Sequence, residues 1–195
     1  YGYQAVGKLT PMAKAVIATA YGKGPDKSYF AGCSNGGRHA MVAATRYFAD
    51  YDGILAGAPG YNLPRAATAN LAGARLYQSV ATREVKNHMD LATALTDAER
   101  QLVANQVVEK CDALDGVKDG MVQDVAACQK VFSLKKDVPT CTGERDGSCL
   151  TPKQKDVLAH IFVGPKTRKG ALIYASFPYD TGFGGGKSGV PSGGS

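Results

Sequence analysis

The sequence predicts an α/β fold in which a parallel βαβ unit precedes a mostly helical, cysteine-bearing stretch. Three observations carry this. Two short apolar runs, residues 28–32 and 53–57, flank a helical pattern within about thirty residues, the length of a βαβ unit with a right-handed crossover. After Pro59 the chain changes texture, and its strongest local signals become helix caps. Four of the five cysteines then fall between residues 111 and 149, in a stretch rich in Asp, Gly and Thr.

Thr10-Pro11 opens the first element: threonine suits an N-cap and proline the first helical position, and residues 12–21 follow with alanine-rich helical spacing. Gly22, Gly24 and Pro25 end it. Residues 28–32 read as a buried strand, Gly32 to Gly37 as a tight turn, 38–48 as a helix and 53–57 as a second buried strand. Residues 63–80 have helical spacing. Thr96-Asp97-Ala98-Glu99 is a capping box that starts a helix running to about residue 110, and Thr151-Pro152 starts another to about 163. Residues 171–176 read as a strand, and the glycine- and serine-rich tail 184–195 as a linker or disordered end.

Composition narrows the functional classes. The chain has 195 residues, 44% of them hydrophobic and 21% charged, which is ordinary for a globular protein able to bury a core. No apolar run reaches the ~20 residues of a transmembrane helix, and Tyr1 is preceded by no leader, so a signal peptide is either absent or already removed. The net charge of +6 hints at polyanions, but the 23 lysines and arginines are scattered, which argues against nucleic acid as a partner. Cys33, Cys111, Cys128, Cys141 and Cys149 form no CxxC pair and lie far in sequence from His39, His88 and His160, so a zinc site is not expected. Cys111 with Cys128 and Cys141 with Cys149 would close short loops suited to disulfides in an oxidising compartment; free thiols in the cytosol are the alternative. The odd count leaves Cys33 over.

Gly32-Cys33-Ser34-Asn35-Gly36 matches G-x-S-x-G with a strand before it and a helix after it, the context that gives the motif meaning. Ser34 is then expected in a strained turn with its hydroxyl lifted off the strand end. Gly32 and Gly36 would remove side chains that collide with the neighbouring strand and helix. The helix start would aim the backbone N–H of Asn35 at a developing oxyanion. A glycine-rich βα turn without chemistry is the plainer reading. A second motif, residues 111–121, sets Asp112, Asp115 and Asp119 among glycines. Such a loop suits a hard cation, which takes oxygen ligands, or is simply a pair of Asp-Gly turns; it is not an EF-hand.

The stretch from Ser28 through Gly32-Cys33-Ser34-Asn35-Gly36-Gly37-Arg38 to Arg46-Tyr47 and on to Asp52-Gly53-Ile54-Leu55-Ala56-Gly57-Ala58-Pro59 resembles the tannase and feruloyl esterase family, a group of serine esterases that includes a polyester-monoester hydrolase branch. The likeness extends through most of residues 1–180, and the cysteine preceding the serine is its most specific mark. It implies a partial α/β-hydrolase core over 1–60, the N-terminal part of a lid over 61–183, and a tail over 184–195, together a fragment of a larger protein. It also implies that Ser34 is the nucleophile, that Cys33 pairs with a cysteine outside this chain beside the catalytic histidine, and that a structural Ca²⁺ is held in the lid by the side chains of Asp112, Asp115 and Asp119 and the carbonyls of Val117 and Met121.

A serine esterase also needs a histidine base and an acid to orient it, in the order Ser, Asp or Glu, His. His88 lies in a polar stretch that reads as solvent-facing, His160 in a helical segment where a packing role is expected, and His39 five residues past Ser34 and turned away. The family's acid and base are therefore expected outside this chain, which alone would be inactive. The expected function is hydrolysis of small aromatic esters, galloyl or hydroxycinnamoyl, by a secreted or periplasmic protein with no membrane or nucleic-acid partner. Its companion would be the remainder of the same polypeptide. The alternatives are a truncated, non-catalytic relative that binds phenolic ligands or a partner chain and, less favoured, a peptidase or lipase with the same turn.

Overall fold

A computed structural model describes residues 3–185. The chain divides into two compact units, Tyr1–Leu63 and Pro64–Ser195, each of which is described by itself. Of the expected linker tail, residues 186–195 lie outside the described residues.

The first unit is a βαβ motif with one additional helix. Helix α1 spans Gln4–Tyr21, so Pro11 lies inside it rather than at its start. Two features explain why the Thr10-Pro11 signal loses. Val6 is 4% exposed and draws the preceding turn onto the unit, and the N–H that proline lacks would have bonded only to the Gly7 carbonyl. Thr10 does not cap the helix; its hydroxyl donates back to the Val6 carbonyl at 3.1 Å. Gly22, with φ 73°, ends the helix as expected. Strand β1 (Tyr29–Cys33) pairs in parallel with β2 (Gly53–Gly57), in register from Tyr29↔Gly53 to Cys33↔Gly57. Helix α2 (Asn35–Arg46) connects them and buries Gly37, Ala40 and Ala43, small residues that let the helix sit close to the strands.

The two strands are not buried as their apolar runs predicted. Tyr29 is 71% exposed and Leu55 68%. Apolar runs without alternation suit a sheet covered on both faces, and among the described residues this sheet has only two strands.

The second unit is mostly helical and holds the main core. Helix α3 (Leu63–Gln78) leads to a small hairpin of β3 (Glu84–Val85) and β4 (His88–Met89). Its tight turn places Lys86 and Asn87 at positive φ, a hairpin without the usual Asn-Gly signal. Helix α4 (Asp97–Cys111) opens with the predicted capping box: the Thr96 hydroxyl accepts from the Glu99 N–H, and the Glu99 carboxylate accepts from the Thr96 N–H. Short helices α5 (Val125–Val131) and α6 (Leu134–Asp137) occupy the loop-rich stretch. Helix α7 (Pro152–Val163) starts at Thr151 with Pro152 in the first turn, and Gln154 completes a second capping box.

Leu95, Val103, Val107, Leu150 and Leu158, all at most 2% exposed, form the centre of the core with Cys111 and Cys128. The chain joins Cys111 to Cys128 and Cys141 to Cys149, with Cα separations of 5.1 and 5.0 Å. The first disulfide is buried and ties the end of α4 to α5; the second closes a half-exposed surface loop. The strand predicted at 171–176 does not form. Thr167 and Ile173 instead donate to the carbonyls of Ala171 and Pro165, both at 2.8 Å, folding this apolar segment back on residues 165–167 in a single antiparallel bridge, Lys166↔Leu172, that among the described residues does not extend into a ladder.

Candidate active site

Ser34 sits at the junction of β1 and α2, as the N-cap of the helix, with φ 56° and ψ −115°. A non-glycine residue there carries strain of about 1–3 kcal/mol, which persists only where the surroundings impose it. Its side chain makes no capping bond to the helix, and the residue is exposed, so the hydroxyl is left to face solvent.

The glycines around it divide differently from the motif. A Cβ at Gly32 would lie 2.3 Å from the Gly36 carbonyl oxygen, so Gly32 is required for the close approach of strand and helix. At Gly36, however, a Cβ would meet nothing within 4 Å. The second indispensable position is Gly37, where a Cβ would lie 2.3 Å from the Gly57 carbonyl oxygen and 2.9 Å from Pro59 Cα. The G-x-S-x-G pattern thus points one residue short of the glycine that lets α2 lie on the end of β2.

Asn35 is the first residue of α2, whose opening turn carries no acidic side chain to offset the positive end of the helix dipole. Its side-chain oxygen accepts from Arg38 Nε at 3.1 Å. Strand, strained serine and helix start together can present a hydroxyl and, beside it, backbone N–H groups to a polarised carbonyl. Cys33, the last residue of β1, is exposed and carries a free thiol.

The three histidines take different places. His39 is half-buried on α2, while His88 on β4 is exposed, as the sequence suggested. His160 is helical but not packed: its side chain is 64% exposed, with Nδ1 3.5 Å from Asp156 Oδ1. The apolar residues flanking it in sequence, Val157, Leu158 and Phe162, occupy the buried stripe of α7 and leave position 160 on the outer face.

The aspartate loop is shaped by its own hydrogen bonds. Asp112 Oδ1 accepts from the N–H groups of Asp119 and Gly120 at 3.1 and 3.0 Å. Asp115 accepts from Val117 and Gln123, and Asp119 from Met121. Gly116 and Gly120, at φ 95° and 79°, make the tight bends. Val117 and Met121 are exposed. Among the described residues, no three His, Cys, Asp or Glu side chains gather closely enough to hold a metal ion. In donor chemistry, three carboxylates and flanking carbonyls on one loop still match what Ca²⁺ takes.

The second unit also contains a cavity of about 1260 Å³ between α3, α7 and the segment after α7, lined by Leu76, Tyr77, Ile161, Phe162 and Phe183, with Arg75 and Lys166 among its polar groups. Burial pushes the Tyr77 phenol up to about 12, so it stays a neutral donor at ordinary pH.

A parallel strand, a G-x-S-x-G turn and a following helix are the context that this motif has in α/β-hydrolase folds. The family model described as "Tannase and feruloyl esterase" matches residues 1–188, and the chain belongs to that family. It is 35% identical over 195 residues to the mono(2-hydroxyethyl) terephthalate hydrolase of Piscinibacter sakaiensis, covering 94% of this chain and 32% of that protein. To a probable feruloyl esterase B-1 of Neosartorya fischeri it is 31% identical over 196 residues, covering 94% and 35%. The crystal structure of feruloyl esterase B from Aspergillus oryzae superposes with a TM-score of 0.72 at 27% identity, covering 91% of this chain and 33% of that one. The chain therefore spans about a third of the length of the relatives it matches.

Proposed function

We propose that residues 1–195 supply the nucleophile corner and the first part of the lid of a carboxylic ester hydrolase. The single observation that supports this most is the backbone of Ser34, an exposed serine at φ 56° between a parallel strand and a helix N-terminus. In this reading the Ser34 Oγ attacks the ester carbonyl carbon and its proton passes to a histidine oriented by an acid, both supplied by polypeptide outside these residues. The Asn35 N–H stabilises the tetrahedral oxyanion. The alcohol leaves with the transferred proton, and water then releases the acid from Ser34. Aromatic acyl groups, galloyl or hydroxycinnamoyl, are the substrates in this reading, which the feruloyl esterase names among the relatives favour. Two disulfides support a secreted or periplasmic location.

The test is labelling of the full-length polypeptide with a fluorophosphonate followed by peptide mapping. The adduct is expected on Ser34, and Ser34→Ala is expected to lose at least ~10³-fold in kcat. An unlabelled serine in an intact protein identifies the non-catalytic alternative.

Calcium is the second part of the proposal. Asp112, Asp115 and Asp119, with the carbonyls of Val117 and Met121, would hold Ca²⁺ in the lid once the carboxylates close further than their present turns place them, and the ion would brace the segment between α4 and α5. EDTA is expected to lower the Tm and added Ca²⁺ to restore it. An unchanged melting curve would leave the loop as a set of Asp-Gly turns.

A further inference from the structure

We infer that the four-residue segment after β2, Gly57-Ala58-Pro59-Gly60, is a positioning device for Ser34; this rests on the reading of Ser34 as the nucleophile. The backbone of Ser34 is held on both sides by this segment. Its N–H donates to the Gly57 carbonyl at 3.0 Å, and its own carbonyl accepts from the Gly60 N–H at 3.2 Å, alongside the Arg38 N–H at 3.0 Å from the helix. The strand ladder ends at Cys33↔Gly57, so the first of these bonds carries the pairing one step past β1, and the second closes on the far side of the residue.

The segment is itself strained in order to do this. Ala58 sits at φ 37°, a region an alanine avoids, and its neighbour Pro59 has its φ locked by its ring. This conformation lets one short stretch aim a carbonyl and an N–H at the same residue. The segment also sets the position of α2, because the Gly57 oxygen and Pro59 Cα occupy the space a side chain at position 37 would need. Two hydrogen bonds and a tight contact therefore impose the unfavourable backbone of Ser34 from outside the G-x-S-x-G motif. Loosening them would let φ relax and swing the hydroxyl away from an attacking position, with the substrate-binding surface untouched.

The experiment uses the full-length polypeptide that carries this chain and steady-state hydrolysis of a hydroxycinnamoyl ester. Gly60→Pro removes the N–H. Gly60→Ala keeps it, and the new methyl would meet only the flexible end of Leu63, at 3.2 Å. Gly60→Pro is expected to lower kcat at least about tenfold with KM within about twofold, since small misplacements of a reacting group cost rate rather than affinity, and Gly60→Ala is expected to rescue kcat. A smaller loss, an equal loss in both variants, or a loss appearing in KM overturns the inference. Ser34→Ala measured alongside separates the two layers: if it retains full turnover, the nucleophile reading fails, and if it is inactive while Gly60→Pro is not, only the positioning role fails. Should Gly60→Pro not fold, the exposed position 58 decides. A β-branched side chain is held at φ 37° far less readily than alanine, so Ala58→Val is expected to lower kcat at least about tenfold at unchanged KM, while Ala58→Gly, which takes that φ without strain and keeps both hydrogen bonds, is expected to retain kcat; an unchanged kcat in Ala58→Val overturns the inference.

Discussion

Among the described residues of the first unit, the buried side chains are Val6, Thr10, Ala40 and Ala43, while in the second they include Leu95, Phe132, Leu150, Leu158, Phe162 and two disulfide-bonded cysteines. The first unit is specified by its backbone: a parallel ladder, glycines where chain segments nearly touch, and hydrogen bonds that bend one serine out of its preferred conformation. The second is specified by its side chains, which fill a core, cap helices and pair charges. A unit set by close backbone approaches and a unit set by side-chain packing should break through different substitutions. Large-to-small changes should injure the second most, and small-to-large changes the first.

Glu99 offers the sharpest break. It is fully buried, and Arg145 reaches it with two guanidinium nitrogens, Nε at 2.7 Å and Nη2 at 2.6 Å. Burial pushes its carboxyl up, but the Arg145 hydrogen bonds, with those from Thr96 and Gln154, outweigh it and hold the group below its ordinary value of 4.5. Arg145→Ala leaves that charge buried without its partner and is expected to cost about 3–5 kcal/mol, the largest effect here, read from chemical denaturation. The pH dependence carries the sign. A depressed carboxyl stabilises the fold above its unfolded value and loses that contribution as pH falls through the folded one, so the wild-type Tm should drop on acidification below about 4.5. In Arg145→Ala burial, the largest single influence, is opposed only by the Thr96 and Gln154 hydrogen bonds, so the loss on acidification should shrink or reverse. A drop of the same slope in both proteins would show that Glu99 does not depend on Arg145.

Leu158→Ala should follow, at about 2–5 kcal/mol, because the side chain is fully buried at the centre of the core and the hole cannot refill. A loss under 1 kcal/mol in the same denaturation series would mean that this core collapses easily.

The smallest effects sharpen the comparison within the first unit. Gly37→Ala is expected to cost about 1–3 kcal/mol, because its methyl would strike backbone atoms of Gly57 and Pro59 that cannot rotate away. Gly36→Ala, one residue earlier and with open space around it, is expected to be neutral or to gain up to about 1 kcal/mol by rigidifying the unfolded chain. Equal costs at the two positions would remove the distinction drawn between them.

Much of the local structure around the candidate site was legible because its signals are local. A strand, a serine between glycines and a following helix occupy adjacent positions, and both helix starts at Thr96 and Thr151 follow from hydrogen bonds spanning three residues. The misreadings came where a local preference competed with something distant. Pro11 looked like a first helical residue until the burial of Val6 extended the helix past it. His160 shared its sequence neighbourhood with buried residues but not their face of α7. Residues 171–176 had the composition of a strand, but among the described residues they form only the single antiparallel bridge Lys166↔Leu172.

The sequence by itself determined the corner at Ser34, the capped helices and the cysteine spacing, because each depends on residues close enough to meet through short-range geometry. Only the tertiary structure decided that Gly37 rather than Gly36 is the tight contact, that Arg145 neutralises Glu99 from 46 residues away, and that Gly57 and Gly60 hold the serine from both sides. Those contacts depend on how separate segments are brought together, and no pattern along the chain records the distance between atoms that folding alone makes neighbours.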